Sequence, residues 1–265
     1  MSRIVAIALN TFREAIRDKV LYALLFFAVA LIFFAVVLAQ LSLHEEFRVI
    51  RDFGLGGITL SNVIISIFIG VSFVYKEIDR KTVFALIPKP IYRAEFILGK
   101  YLGVLLTLAL LIVLMSCALF ATIGIQVIAL KTPGAVVDAA LCRAVLLLFF
   151  EVAVVTAVAV FFSSFTSPFL SGFFTLSLFA IGRCWPELVE LGKRFSNLRF
   201  LAHLYVVPDL HLFYVSGSMI GGQAVSVHGA FVSWQYVAFA GGYAVLYISI
   251  ALLGAVILFS RRDFV

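Results

Sequence analysis

The sequence predicts an all-α protein that crosses a membrane several times, and three observations point to this fold class. Of its 265 residues, 64% are hydrophobic and only 13% are charged, and the mean hydropathy is +1.16. A soluble domain carries about 25% charged residues, so the composition excludes a soluble enzyme, a disordered segment and a nucleic-acid-binding module despite the net charge of +6. The apolar residues also form long continuous runs, without the alternation that is typical of a transmembrane β-barrel.

Six apolar runs predict six transmembrane helices, since a helix needs about 20 mainly apolar residues to cross the hydrocarbon core. The runs cover residues 20–41, 55–75, 101–130, 139–162, 168–183 and 234–259. The third run is long enough to tilt or to project beyond the bilayer. The fifth is short and begins at Pro168, a residue that suits the first turn of a helix. Together the runs predict a single transmembrane domain over residues 1–265.

The basic residues predict the orientation of these helices. Lys and Arg are concentrated in residues 3–19, in the loop 76–100 and at Arg261 and Arg262. Cytoplasmic segments of membrane proteins carry such an excess. We therefore expect both termini, the loop 76–100 and the short link 163–167 to be cytoplasmic.

Residues 3–19 are predicted to form an amphipathic helix in the membrane interface. One face carries Arg13, Glu14 and Arg17. The apolar positions on the opposite face are Ile4, Ala8, Phe12 and Ile16. Such a helix lies in the plane of the interface with its cations toward lipid phosphates. The segment is too polar, and the apolar run after it too long, for a cleavable signal peptide.

The loop 76–100 is more organised than topology requires. Charged residues crowd its first turn, and an apolar stretch from Val83 to Ile87 follows. Pro88 and Pro90 then stop the helix. An ordinary positive-inside loop is one interpretation; a short helix that ends in Pro-Lys-Pro also fits a docking element for a soluble partner.

On the opposite side, residues 184–233 are too long and too patterned for a plain connector. Apolar residues at three- and four-residue spacing run from Leu188 to Tyr205, which predicts one helix. Pro208-Asp209 opens a second short segment, and Ser216-Gly217 closes it. We expect two helices that lie on the outer leaflet or dip into it.

The sequence lacks the usual motifs for nucleotide binding and catalysis. Gly99-Lys100 lacks the upstream glycine and the following Ser or Thr of a phosphate-binding loop. We therefore expect no enzymatic activity, and any ATP that drives this protein must be hydrolysed by a different chain. The 3 cysteines and 4 histidines have no disulfide framework and no metal-ligand spacing, so we expect no cofactor and no metal.

Glu151 is the outlier within the spans, midway along the fourth. A carboxylate at the centre of a transmembrane helix costs about 3 kcal/mol, so it should face protein or water and have a partner. Arg143 lies about 12 Å away along the same helix, which is too far for a pair within one helix. Three uses are open for Glu151: lining a translocation path, binding a proton, or forming structural hydrogen bonds as a neutral group.

Several of these segments resemble the ABC-2 type transporter permeases, over essentially the whole chain. Residues 11–22 look like the connecting helix of that family running into the first span. The loop resembles its first cytoplasmic coupling segment, through Glu77-Ile78-Asp79-Arg80-Lys81-Thr82, Leu86, Lys89-Pro90-Ile91-Tyr92-Arg93 and Gly99-Lys100. The helices before the sixth span and the terminal residues 259–264 also fit. Within the family, the chain looks most like permeases of the copper-enzyme maturation group, which assist nitrous oxide reductase assembly.

The resemblance implies the permease subunit of an exporter in the bacterial cytoplasmic membrane. Such a subunit works as a homodimer or pseudo-dimer in the lipid bilayer and binds two cytoplasmic ATPase subunits, which carry the nucleotide site; nucleic acid is not a partner. It implies that the loop couples to the ATPase through Glu77, Asp79, Arg80, Lys81, Pro88, Lys89, Pro90 and Arg93. A smaller second contact is implied at Ser163, Ser164, Phe165 and Thr166.

Three other functions compete with this interpretation. A secondary, ion-coupled transporter would need an inverted repeat and several intramembrane polar groups, and no convincing repeat relates residues 1–130 to 131–265. An intramembrane enzyme or cofactor anchor would need a His/Asp/Glu cluster within the spans, which hold none. A passive assembly scaffold is the third alternative.

Overall fold

A computed structural model of the chain describes residues 3–41, 46–79, 92–130, 139–194, 207–220, 223–226 and 232–260. Its helices are α1 Arg3–Ile16, α2 Lys19–Gln40, α3 Glu46–Asp79, α4 Arg93–Leu130, α5 Ala139–Ser163, α6 Pro168–Arg183, α7 Trp185–Arg194 and α8 Trp234–Ser260. Between α7 and α8 lie a 3-10 turn, Leu210–Phe213, and an antiparallel hairpin of β1 Val215–Ile220 and β2 Gln223–Ser226.

Five of the described helices, α2, α3, α4, α5 and α8, are long and apolar enough to cross a membrane. This confirms the prediction of a helical protein with several membrane-spanning segments. The remaining predicted span, 168–183, is the helix α6, which has 16 residues. At 1.5 Å per residue it is about 24 Å long, whereas a typical hydrocarbon core is about 30 Å thick.

Two helices continue well beyond their apolar runs. Helix α3 begins at Glu46 rather than at residue 55, and α4 begins at Arg93 rather than at residue 101. Hydropathy marks only the part of a helix that contacts hydrocarbon, whereas the backbone hydrogen bonds continue through polar residues. The predicted coupling segment is therefore flanked directly by two long helices that enter the core of the bundle.

The core of the bundle is the contact between α3 and α5. In each of these helices 67% of the apolar window is buried, against 22% in α2 and 28% in α8. Small residues bring the two helices together. The Ser66 and Thr156 hydroxyls are 2.9 Å apart, and a Cβ added at Gly70 would lie 2.9 Å from the Ala159 Cβ. Lipid gives little hydrophobic drive between helices, so close packing and interhelical hydrogen bonds hold them instead.

Helix α1 is confirmed as a helix, and its buried stripe packs against α4. A Cβ at Gly103 would lie 2.6 Å from the Ala8 carbonyl oxygen, and one at Gly99 would lie 3.1 Å from the Ile4 carbonyl oxygen. The most buried residues of α1 are Thr11 and Ala15. These lie beside the apolar positions predicted from sequence, which are only partly buried. Arg13, Glu14 and Arg17 are exposed.

The ends of the helices and the segments between them lie at two opposite ends of the bundle. The loop end holds α1, the start of α4, the turn Ser164–Ser167 and the end of α8, where the Phe96 and Phe259 rings stack 6.0 Å apart. The insertion end holds the end of α6, α7, the 3-10 turn, the hairpin and the start of α8. These two names are used below.

The region 184–233 is only partly helical, which corrects the sequence prediction. The first predicted helix is present as Trp185–Arg194, and residues 195–206 lie outside the described part of the chain. The second is a single 3-10 turn followed by the hairpin. The hairpin had a sequence signal, because Gly221-Gly222 separates its two strands and such dipeptides are typical of tight hairpin turns.

Candidate functional site

Glu151 is buried within the bundle and forms an ion pair with Arg183. Its side chain is 1% exposed, and the Arg183 guanidinium donates a hydrogen bond to Oε1. The expectation that Glu151 has a partner is therefore confirmed. The partner lies on α6, a helix that the sequence analysis had not connected with Glu151.

The turn between α5 and α6 brings the two charges together. The helices leave the turn Ser164–Ser167 in opposite chain directions and pack side by side. Glu151 lies about 18 Å from the turn along α5, and Arg183 lies about 22 Å from it along α6. The length of the arginine side chain spans the difference. The pair therefore fastens the far end of the short helix α6 to the middle of α5.

Arg183 also contacts aromatic rings on its other sides. Its guanidinium carbon is 4.1 Å from the centre of the Tyr214 ring and 6.0 Å from that of Phe179. A guanidinium at this distance from a ring face is attracted by the ring quadrupole. Its side chain is 22% exposed, far more than that of Glu151. Arg183 therefore lies between a buried carboxylate and a ring that belongs to the insertion.

The ring belongs to residues 207–215, which we call the cap segment. Leu210, Phe213 and Val215 of this segment are buried in the main core of the bundle. The Asp209 backbone N–H donates a hydrogen bond to Tyr243 Oη (2.9 Å). Tyr236 Oη donates one to the Leu212 carbonyl oxygen (2.7 Å). Two tyrosines of α8 thus hold the backbone of the cap segment.

The cap segment occupies the space beyond the end of α6. A Cβ added at Gly182 would lie 2.5 Å from the Pro208 carbonyl oxygen, so only glycine permits this approach. Asp209 Oδ1 accepts a hydrogen bond from the His211 N–H (3.1 Å) and fixes the start of the 3-10 turn. The cap segment therefore packs directly against the last turn of α6.

The pair leaves little net charge in the core, and its members depend on each other. Breaking a buried ion pair by removing one partner costs about 3–5 kcal/mol, whereas replacing both partners with apolar residues is often neutral. The arrangement can hold helices together, exchange its partner for another charged group, or take up a proton.

At the loop end, the start of α4 meets the turn between α5 and α6. Lys100 is 5% exposed, and its Nζ lies 5.0 Å from the centre of the Phe96 ring. A small, mainly apolar cavity is lined by Lys100 together with Gly70, Ser164 and Phe259. The Gly99-Lys100 step and the predicted second contact are therefore close neighbours.

The predicted second contact, residues 163–166, forms a compact turn. Ser163 and Ser164 are buried. The Ser164 and Thr166 hydroxyls donate to the Phe161 and Phe162 carbonyl oxygens at the end of α5, at 2.7 and 2.8 Å. Phe165 is 43% exposed. Of these four predicted residues, Phe165 presents the largest surface to a partner.

Most of the predicted coupling residues lie outside the described part of the chain. Glu77 and Asp79 belong to the last turn of α3, and Arg93 is the first residue of α4; their side chains lie outside the description. The others, Arg80, Lys81, Pro88, Lys89 and Pro90, lie outside the described residues.

No family model matches the sequence, and no curated protein matches it. The resemblance to ABC-2 permeases therefore depends on the quoted motif residues alone.

Among the described residues, no three His, Cys, Asp or Glu side chains are grouped as they would be around a metal ion. Cys117, Cys142 and Cys184 are free and exposed. His211 is buried in the cap segment, with its ring 6.4 Å from that of Tyr214. The other three histidines lie outside the described ranges.

The sequence analysis missed Arg183, Tyr214 and the cap segment as parts of one site. Arg183 is the last residue of the fifth predicted run, 168–183, where a charged residue is ordinarily taken to mark the end of a span. A signal was present, since a run of only 16 residues is too short to carry its last residue across a typical hydrocarbon core. A basic residue at the end of such a run is expected near the buried part of the bundle.

Proposed function

We propose that this protein is the membrane-spanning subunit of an ATP-driven exporter of the ABC-2 type. In this proposal it crosses the bacterial cytoplasmic membrane six times, with both termini in the cytoplasm, and α1 lies in the inner interface. A second copy completes the permease, and two separate ATPase subunits supply the energy. Helix α6 and the cap segment together make the fifth crossing in chain order.

One observation carries the proposal. The three segments that the resemblance assigns to the cytoplasmic face meet at the loop end of the bundle. Helix α1 packs on Gly99 and Gly103 of α4, and Arg3 lies 3.9 Å from Glu95 in an ion pair. Lys100 and Ser164 line one cavity. The connecting helix, the coupling segment and the second contact would therefore offer a continuous surface to an ATPase.

The long helices supply a mechanical path from that surface to the core. A soluble ATPase can shift the membrane equilibrium only through contacts that differ between its own two states. The loop 76–100 links α3 and α4, which have 34 and 38 residues. A displacement of the loop would move α3 against α5, where Gly70 and Ala159 pack closely, and would open or close a path between them.

The decisive experiment reverses the charges of Arg80 and Lys81 to Glu in the purified complex. We expect normal insertion into the membrane, while ATP hydrolysis in nanodiscs loses its dependence on the permease and falls to the rate of the free ATPase. The matched control reverses the charges of Arg48, near the start of α3, and Lys131, which follows the end of α4. Both residues are predicted on the outer side of the membrane, so this variant should keep the coupled rate.

Two results would overturn the proposal. One is a coupled rate that is unchanged by reversal at Arg80 and Lys81. The other is transport by the purified chain alone in proteoliposomes, with no nucleotide-hydrolysing companion. Candidate substrates for the transport assay are lipids, drugs, sulfur species and copper species. Sulfur and copper species are included because of the resemblance to the copper-enzyme maturation group.

The pair Glu151–Arg183 favours a second candidate, an ion-coupled secondary transporter. Intramembrane carboxylates commonly mark ion or proton pathways, and this one is paired across two helices. A proton gradient imposed without ATP would drive such a transporter. Glu151→Gln should abolish gradient-driven transport, whereas an ATP-driven permease would give no gradient-driven signal in either form.

A further inference from the structure

We infer that the cap segment is a gate at the insertion end of the bundle, and that Arg183 is the latch that holds it closed. The inference rests on the proposed transport function for its purpose, since a translocation path needs a closure. The latch itself is a physical contact that can be tested without a transported substrate or an ATPase.

The first step is how the cap segment is attached. It contacts α6 through the backbone approach at Gly182, and α8 through the hydroxyls of Tyr236 and Tyr243. Both tyrosines bond backbone groups of the cap segment, so these contacts depend little on which residues the segment carries. Tyr214 is different, because its ring meets a charged group that is itself anchored inside the bundle.

The second step is what Arg183 connects. Its guanidinium contacts Glu151 of α5 on one side and the ring of Tyr214 in the cap segment on the other. A movement of α6 relative to α5 that separates the ion pair also moves the guanidinium away from the ring. Closure of the cap is therefore coupled to the α5–α6 contact through one side chain.

The third step is why this contact has two states rather than a gradual range. Glu151 is nearly inaccessible to solvent, so a separated pair would leave a carboxylate in an apolar core, at high cost. Intermediate separations are costly because neither water nor a partner solvates the charge. The pair is stable when closed, and it opens fully only where the α5–α6 movement admits water.

The test compares two substitutions of Tyr214 by amide hydrogen exchange of the purified chain in nanodiscs. Tyr214→Phe keeps the ring and should leave exchange in residues 207–215 unchanged. Tyr214→Leu removes the ring, leaves Glu151–Arg183 intact, and should speed exchange there by about 5- to 30-fold, the range expected for loss of a partly desolvated cation–π contact. Exchange in the centre of α3 serves as the internal reference.

A second variant guards against misfolding of the first. Glu151→Leu combined with Arg183→Leu removes both charges without leaving one unpaired, and should also speed exchange in the cap segment. Equal cap exchange in Tyr214→Leu and Tyr214→Phe would overturn the latch. A similar acceleration in the centre of α3 would also overturn it, since the contact would then hold the whole fold rather than the cap.

The gate is tested separately in the complex with the ATPase. Cysteines at Leu212 and Ser233, in a variant whose native cysteines are alanine, allow a bifunctional thiol reagent to tie the cap segment to the start of α8 while Tyr236 and Tyr243 stay in place. Cross-linking should stop transport, and a reducible reagent should restore it after reduction; transport that continues through the cross-link would overturn the gate. If no ATPase couples to the chain while Tyr214→Leu behaves as expected, the proposed function fails and the latch stands.

Discussion

Because Glu151 and Arg183 form a buried ion pair, we predict that replacing one of them destabilises the protein more than replacing both. Glu151→Leu leaves a guanidinium beside an apolar residue in the bundle, whereas Glu151→Leu with Arg183→Leu leaves no charge at all. Loss of one partner of a buried pair costs about 3–5 kcal/mol. Because Arg183 retains some solvent access, its unpaired charge can be partly hydrated, and we expect the lower value, about 3 kcal/mol.

That free energy translates into a measurable thermal shift. Each kcal/mol moves the midpoint of unfolding by about 2–4 °C in a chain of this size, so Glu151→Leu should lower it by about 6–12 °C. The double variant should lie within about 1 kcal/mol of the parent, since two leucines can pack in place of the pair. The assay is loss of the monodisperse peak in detergent after heating, for the parent, both single variants and the double variant.

The four midpoints form a double-mutant cycle, which isolates the interaction between the two side chains. With a cost of about 3 kcal/mol for each single substitution and at most about 1 kcal/mol for the double, the expected interaction free energy is about 5 kcal/mol. Additive effects of the two single substitutions would refute the pairing, whatever the size of each effect. A double variant that is as unstable as Glu151→Leu would show that Arg183 is held by other contacts.

Three glycine substitutions test the close helix contacts. Gly103→Ala should lower the free energy of unfolding by about 1–3 kcal/mol, because its Cβ would strike the backbone of α1. The control is Gly242→Ala, which should be neutral or stabilising because a Cβ there meets nothing within 4 Å. Detergent melting curves compare the two variants. Gly70→Ala should be destabilising by a similar amount and be rescued by Ala159→Gly, which removes the opposing methyl group; no rescue would contradict the α3–α5 packing. Gly182→Ala should displace the cap segment and speed its amide exchange, and slow exchange in this variant would argue against the position of the cap.

Much of the helical framework could be predicted from the sequence. Helices α2, α5 and α8 begin and end within one or two residues of the predicted runs. This works because a helix satisfies its own backbone hydrogen bonds, and burial in lipid requires about 20 consecutive apolar side chains. Both conditions depend on neighbours along the chain, so they can be read without knowing the tertiary structure.

The partners of the polar residues could not be predicted in the same way. Glu151 was recognisable as an unusual residue, but its partner Arg183, at the end of the fifth predicted run, was not. The apolar face of α1 was likewise expected to lie in the membrane interface. In the structure the buried residues of α1 are Thr11 and Ala15, and the helix packs against α4.

What the sequence by itself determined is therefore the class of the protein and the position of most helices, because hydropathy and helix formation are local properties. Only the tertiary structure decided that the end of α6 lies opposite the middle of α5, and that a loop segment covers it. Those contacts depend on the length of α6, on the turn before it and on a glycine at its end. A charged pair between two helices exists only where packing brings both side chains to the same depth.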